Sequence, residues 1–284
     1  MNSKLKYGIG TPNVGENFGS VKDLVEIAKM AEDSGWDGLF IWDLIHSRRD
    51  PVIPVIDPWI ALTAIAGKTE KLRLVTYVTP LARRKPWKVA RETVSLDHFS
   101  NGRLVLGVGL GYDPKVEFEA FGEEVDGRTR AKKLDESLEI IQKLWSGEAF
   151  SYEGEHYKIK DVCFKPKPLQ TPRIPIWVGG SWPNKKPFLR AAKLDGIMPF
   201  NSKYMYLELD EIRKIKRFIS ENREEGMDNF DIVCLGKKAT DDMEKRKEKI
   251  REFAKAGITW WLEDVSPGTK EEVFATIQEG PPRI

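Results

Sequence analysis

Short apolar runs rich in β-branched residues alternate with longer stretches in which apolar positions recur every three or four residues. KYGIGTP is the first run, and Ser20 with Asp23 three residues on predicts the start of a helix that Gly35 closes. GLFIWD (38–43) reads as the second strand, followed by a helix with Asp57 as cap and Pro58 at its first position. LRLVTYVTP is the third strand, with a helix from Pro86 to Phe99 behind it. RLVLGVGLG is the fourth, with an amphipathic helix ending at Gly147. IPIWVGG, GIMPF, FDIVCLG and ITWWLED read as strands five to eight. Helices are expected over 185–194, over 206–222, over DDMEKRKEKIREFAKAG and after a cap at Thr269 with Glu272.

The strands are continuous apolar runs, the mark of parallel strands covered on both faces. Eight strand–helix units therefore predict an α/β chain folded as a (β/α)8 TIM barrel, a single domain over 1–284. One segment breaks the rhythm. The stretch 148–173 alternates around EGEH and then turns proline-rich, which predicts an inserted hairpin between units four and five.

In LVLGVGLGYDP, glycines stand at 107, 109 and 111. A dinucleotide fingerprint needs a third glycine after two intervening residues and a helix opening at once. Here Tyr112 takes that place and DPK intervenes, so the Rossmann reading fails. In a barrel these glycines lie at a C-terminal strand end, where ligands bind. They either relieve crowding or let a bulky flat ligand approach the backbone. Gly8 and Gly10 on the first strand and Gly179-Gly180-Ser181 on the fifth add two more cleared ends, the latter a candidate anion nest. Together they suit a large planar ligand with a phosphate tail, the shape of a flavin.

Those motifs, with LDHFSNGRLVLGVGLG, FEAFG, WVGG, AAKLDG and the terminal GPPR, resemble the luciferase-like (bacterial luciferase superfamily) flavin and deazaflavin oxidoreductases over nearly the whole chain. The resemblance implies a barrel that binds reduced FMN or, alternatively, coenzyme F420. It implies a bulge with a non-prolyl cis peptide among Thr76, Tyr77, Val78 and Thr79, behind the cofactor ring. It places the phosphate near Gly179, Gly180 and Ser181, beside Pro199, and Asp43 at the ring edge. It also implies a homodimer and, for FMN, a separate flavin reductase. The pattern departs from relatives that read Asp-His after strand two, because Leu44 follows Asp43. Tyr112 replaces the acid that sugar-phosphate dehydrogenases carry after strand four, so that chemistry is not carried over.

Candidate acid–base residues are His46, Asp43 and Tyr112. His46 is either a proton carrier at the barrel mouth or a solvated loop histidine beside Arg48 and Arg49. Arg83, Arg84 and Lys85 follow strand three and either attract an anionic tail or are simply solvated. The pair Glu263–Asp264 reads as structural ion-pair partners. Three scattered histidines give no metal-ligand spacing.

Composition narrows the classes further. Lys+Arg 46 against Asp+Glu 44 excludes a nucleic-acid footprint. The two cysteines, Cys163 and Cys234, form no close pair, which fits a reducing compartment. No apolar run approaches a signal peptide or a membrane span, so a cytoplasmic protein is expected. The leading expectation is a flavin-dependent monooxygenase using reduced FMN on a small organic substrate. F420-dependent hydride transfer is the alternative, and a non-catalytic flavin-binding protein is the reading from another class.

Overall fold

A computed structural model describes residues 5–47, 52–236, 242–265 and 268–284. In chain order the strands are β1 (Lys6–Thr11), β2 (Gly38–Ile41), β3 (Arg73–Thr76), β4 (Thr79–Pro80) and β5 (Leu104–Gly109). They continue with β6 (Phe150–Glu153), β7 (Lys158–Val162), β8 (Ile176–Trp182), β9 (Gly196–Asn201), β10 (Asp231–Gly236) and β11 (Trp260–Asp264). The helices are α1 (Val21–Asp33), α2 (Pro58–Ala66), α3 (Pro86–Phe99), α4 (Pro114–Glu117) and α5 (Gly127–Ser146). After them come α6 (Lys185–Ala191), α7 (Leu209–Asn222), α8 (Met243–Ala256) and α9 (Lys270–Gln278).

All pairings around the ring are parallel, and β3 pairs with β5 to close it, with β4 continuing β3 beside β5. This is the expected TIM barrel. Between α5 and β8 the chain makes an antiparallel hairpin of β6 and β7. Three backbone N–H groups of its turn, from Glu155, His156 and Tyr157, donate to the Glu136 carboxylate on α5, fixing the hairpin to that helix. No helix among the described residues is long and apolar enough to cross a membrane.

Local signals act where the sequence places them. Ser20 accepts from Asp23 N–H, Asp57 from Trp59 and Ile60 N–H, and Thr269 and Glu272 complete a reciprocal capping box. Outward side chains of the strands join the helices in the main core, while Phe40, Val75, Val105, Trp177, Met198 and Trp260 fill the barrel interior. Trp177 and Trp260 meet edge-on at 5.6 Å between ring centroids, and Phe40 stacks on Trp177. These rings plug the barrel, which leaves chemistry to its C-terminal mouth.

Glu32 supplies a test of how a connection is held. Its carboxylate accepts from the N–H groups of Glu70, Lys71 and Leu72, which lead into β3. Burial opposes the charged form, yet the three amides outweigh it and hold the carboxyl below its usual range. A depressed folded pKa stabilises the fold above the ordinary value of 4.5, and that advantage is lost as pH falls through the folded value. Glu32→Gln is therefore expected to melt below the wild type at pH 7 and to converge on it in acid. Parallel melting curves across that range check this.

Candidate active site

At the mouth, the glycines serve two different ends. A Cβ on Gly107 would fall far inside contact distance of the Thr76 carbonyl oxygen. Thr76 Oγ1 donates to Gly107 O at 2.9 Å and accepts from Gly107 N–H at 3.0 Å, so its side chain stitches β3 to β5. Beyond Thr76 the Tyr77–Val78 peptide is cis, within the segment where the resemblance places such a bond. The Val78 side chain then occupies the space left bare by two strand ends. A Cβ on Gly109 would lie 2.6 Å from it, and one on Gly179 2.9 Å. Crowding relief thus accounts for 107, 109 and 179.

Gly10 differs. A Cβ there would meet nothing closer than 3.5 Å, which is ordinary contact, although the position faces the mouth. Gly111 has φ +86°, a left-handed turn that only glycine adopts freely, and it starts the loop to α4. Gly180 faces outward, toward Pro187 of α6, and pairs in register with Pro199 of β9. The run Gly179-Gly180-Ser181 is extended strand that pairs with β9 through Trp182, and neither glycine has a positive φ. The expected anion nest, which needs alternating right- and left-handed residues, does not form there.

Asp43, two residues past the end of β2, is buried in an ion-pair network rather than presented as a free ring-edge carboxylate. Thr79 Oγ1 donates to its Oδ2 at 2.9 Å, Arg83 Nη2 to its Oδ1 at 2.8 Å, and Arg84 Nη2 to Oδ1 at 3.0 Å. Arg83 Nη1 reaches Glu117 Oε1 at 3.0 Å, and Glu117 Oε2 accepts from Tyr112 N–H. The side chains of Asp43, Arg83 and Glu117 are 1%, 5% and 1% exposed. The network that joins β2, the segment after β4 and α4 buries Arg83, while Arg84 lends it only Nη2 and stays 21% exposed. Glu117 was invisible as their partner in sequence, being 34 residues from Arg83.

His46 packs edge-on against Phe121 at 6.1 Å between centroids, joining the loop after β2 to the loop after β5. Arg48 and Arg49 lie outside the described residues. The Tyr112 ring is 80% exposed, so the structure does not gather His46, Asp43 and Tyr112 into one acid–base group. Among the other histidines, His98 Nε2 lies 2.7 Å from Lys167 O, while His156 is only partly exposed in the hairpin turn rather than on the open surface.

A different polar group faces the mouth. Asp264 ends β11 in register with Gly10. Tyr206, on the connection from β9 to α7, donates from Oη to Asp264 Oδ2 at 3.4 Å. Tyr206, like Tyr77 and Val78, is partly buried against the barrel-interior cluster. Burial, reinforced by the Asp264 charge, pushes both phenols above the usual tyrosine value, so they remain donors through neutral pH. The sequence names Tyr77 through the resemblance and treats Asp264 as structural. It gives no sign of Tyr206, because nothing local marks which residue of a long connection folds back over the barrel.

The comparisons agree with the fold. The chain matches an F420-dependent glucose-6-phosphate dehydrogenase of Microbacterium testaceum at 32% identity, over 64% of this chain and only 53% of that protein. A second enzyme with that name, from Amycolatopsis mediterranei, matches at 28% identity over 88% of this chain and 75% of its own length. Among solved structures, an F420-dependent secondary alcohol dehydrogenase in complex with an F420–acetone adduct superposes with a TM-score of 0.80 at 17% identity, covering 98% of this chain and 99% of that one. The family model for luciferase-like monooxygenases matches residues 5–278, and the chain belongs to that family.

Proposed function

We propose that this protein is an F420-dependent oxidoreductase that moves a hydride between the deazaflavin and a small organic substrate. The observation that carries the cofactor choice is the match over 88% of the chain to a relative named as F420-dependent. It reverses the order suggested by resemblance alone, in which FMN came first. The proposal includes a cytoplasmic homodimer and needs no separate flavin reductase.

The residues present fit a flat ring. Gly10 leaves one wall of the mouth bare, and Val78, wedged over Gly109 and Gly179, offers a fixed apolar surface. Tyr77 and Tyr206 add protonated phenols and Asp264 a carboxyl group. When bound, the deazaflavin supplies the hydride chemistry, and the protein's part is orientation and proton handling.

Titration of purified protein with F420 and with FMN, followed by fluorescence, tests this. Binding of F420 at micromolar level with FMN much weaker is the expected result. Tighter FMN binding would restore the monooxygenase reading, and binding of neither would reject both. Gly10→Ala should leave stability nearly unchanged, because its Cβ meets only ordinary contacts. Gly10→Leu should weaken F420 binding at least about tenfold, equivalent to about 1.4 kcal/mol. Unchanged affinity in Gly10→Leu would remove Gly10 from the site.

A further inference from the structure

We propose that residues 201–206 form a gate on the cofactor's way into the barrel mouth, with Tyr206 as its leaf, Met205 as a sprung hinge and Asn201 as the positioning residue that holds the leaf in. The proposal rests on the oxidoreductase reading above only for the identity of what enters.

The chain between β9 and α7 is built as a hook. Asn201, the last residue of β9, exchanges both backbone hydrogen bonds with Met205, at 3.0 and 3.1 Å. Its side-chain Oδ1 accepts from the N–H groups of Lys203 and Tyr204, and its Nδ2 donates to Glu211 Oε1 on α7. Ser202 N–H donates to Trp182 O on β8, and Glu208 N–H donates to Glu211 Oε2. Both ends of the hook are thus pinned to elements of the barrel. Between the pins, Tyr206 N–H donates to Tyr204 O, two residues back, at 2.8 Å around Met205 at φ +68°. A γ-turn around a positive φ is the rare, strained hand, and a left-handed φ is costly for methionine where glycine or asparagine tolerates it.

The strained turn aims Tyr206 inward. Tyr204 and Met205 stay in solvent, 73% and 44% exposed, whereas Tyr206 is partly buried against the barrel-interior cluster. Its Oη reaches Asp264, whose register partner is Gly10, the bare position of the mouth. At 3.4 Å that hydrogen bond is long and weak. A ring entering beside Gly10 must pass the phenol. Swinging out costs one weak hydrogen bond and part of the burial of one ring, and it returns Met205 to an ordinary φ. The two positions are therefore close in free energy, so a ligand that needs the space can choose between them. On its return the phenol stands beside the seated ring.

Two substitutions should move the gate in opposite directions. Met205→Asn suits the left-handed φ and should hold Tyr206 in, slowing F420 association about fivefold. Asn201→Ala removes the frame around the turn and should speed association by about the same factor. In a Tyr206→Ala background neither should alter the rate, because no leaf is left to move. Stopped-flow fluorescence of F420 mixed with the full chain reads all of these rates. In free protein labelled with 3-fluorotyrosine, the Tyr206 line, assigned by its loss in Tyr206→Phe, should show relaxation dispersion on the microsecond-to-millisecond scale. Asn201→Ala should move that line toward the solvent-exposed frequency. Association rates unchanged in both variants, or still changed without Tyr206, would overturn the gate. So would a Tyr206 line without dispersion that Asn201→Ala leaves in place. If neither F420 nor FMN binds, the cofactor reading falls, and the fluorine lines of the free protein decide the gate by themselves.

Discussion

Gly107→Ala should be the most damaging single-methyl change in the barrel, costing about 4 kcal/mol or more and leaving most of the protein insoluble. The added carbon would be driven into the Thr76 carbonyl, which is backbone and has no rotamer to escape into. The position cannot shift cheaply, because Thr76 Oγ1 holds both polar groups of Gly107. The Met198 methyl approaches from another side. The seam between β3 and β5 closes the ring, so opening it exposes the interior aromatic plug. Urea unfolding of the soluble fraction, beside Gly10→Ala as a control of identical chemistry, gives the measurement. A midpoint for Gly107→Ala close to the control would mean that the seam tolerates a methyl group and that this account of the glycine is mistaken.

Arg83→Met should cost about 3–5 kcal/mol, the range for removing one partner from a buried ion pair. Arg84 still reaches Asp43 in that variant, but Glu117 keeps no guanidinium among the contacts described above. The cost therefore comes mainly from Glu117, whose side chain is almost wholly buried and whose other oxygen holds the Tyr112 amide. Arg83→Lys should not rescue fully, since a single ammonium cannot reproduce a planar fork that meets Asp43 on one nitrogen and Glu117 on the other. Adding Glu117→Gln to Arg83→Met should recover part of the loss, because the stranded charge is gone. A double variant no more stable than Arg83→Met would place the cost elsewhere, and a double-mutant cycle in urea measures the coupling directly.

Both predictions turn on partners that the linear chain hides. The strands, the caps at Ser20, Asp57 and Thr269 and the Pro86–Phe99 helix were all legible, since each depends on neighbours within a few residues. The barrel followed from counting continuous apolar strands. The hairpin turn around EGEH was legible too, though its attachment to α5 through Glu136 was not.

The site was legible in outline only. The glycines at 107, 109 and 179 were legible in sequence, but their neighbours were not: the space over 109 and 179 holds the protein's own Val78. Arg83 and Arg84 look like solvated cations in sequence, and only folding reveals Asp43 and Glu117 beside them. Tyr206 and Asp264 meet across 58 residues, a distance at which no periodicity or capping rule operates. Local grammar specifies elements, whereas the chemistry of a barrel mouth is assembled from eight separate loops.

The valine seated over two glycines has a consequence for how related chains can diverge. Positions 78, 109 and 179 share one fixed volume, contributed by the link between β3 and β4 and by two strands distant in sequence. A bulkier residue at any one of them demands a smaller one at another, so substitutions there should arise as compensated sets rather than singly. Such a triplet moves through evolution as a unit, and an engineer who changes one member must change another with it.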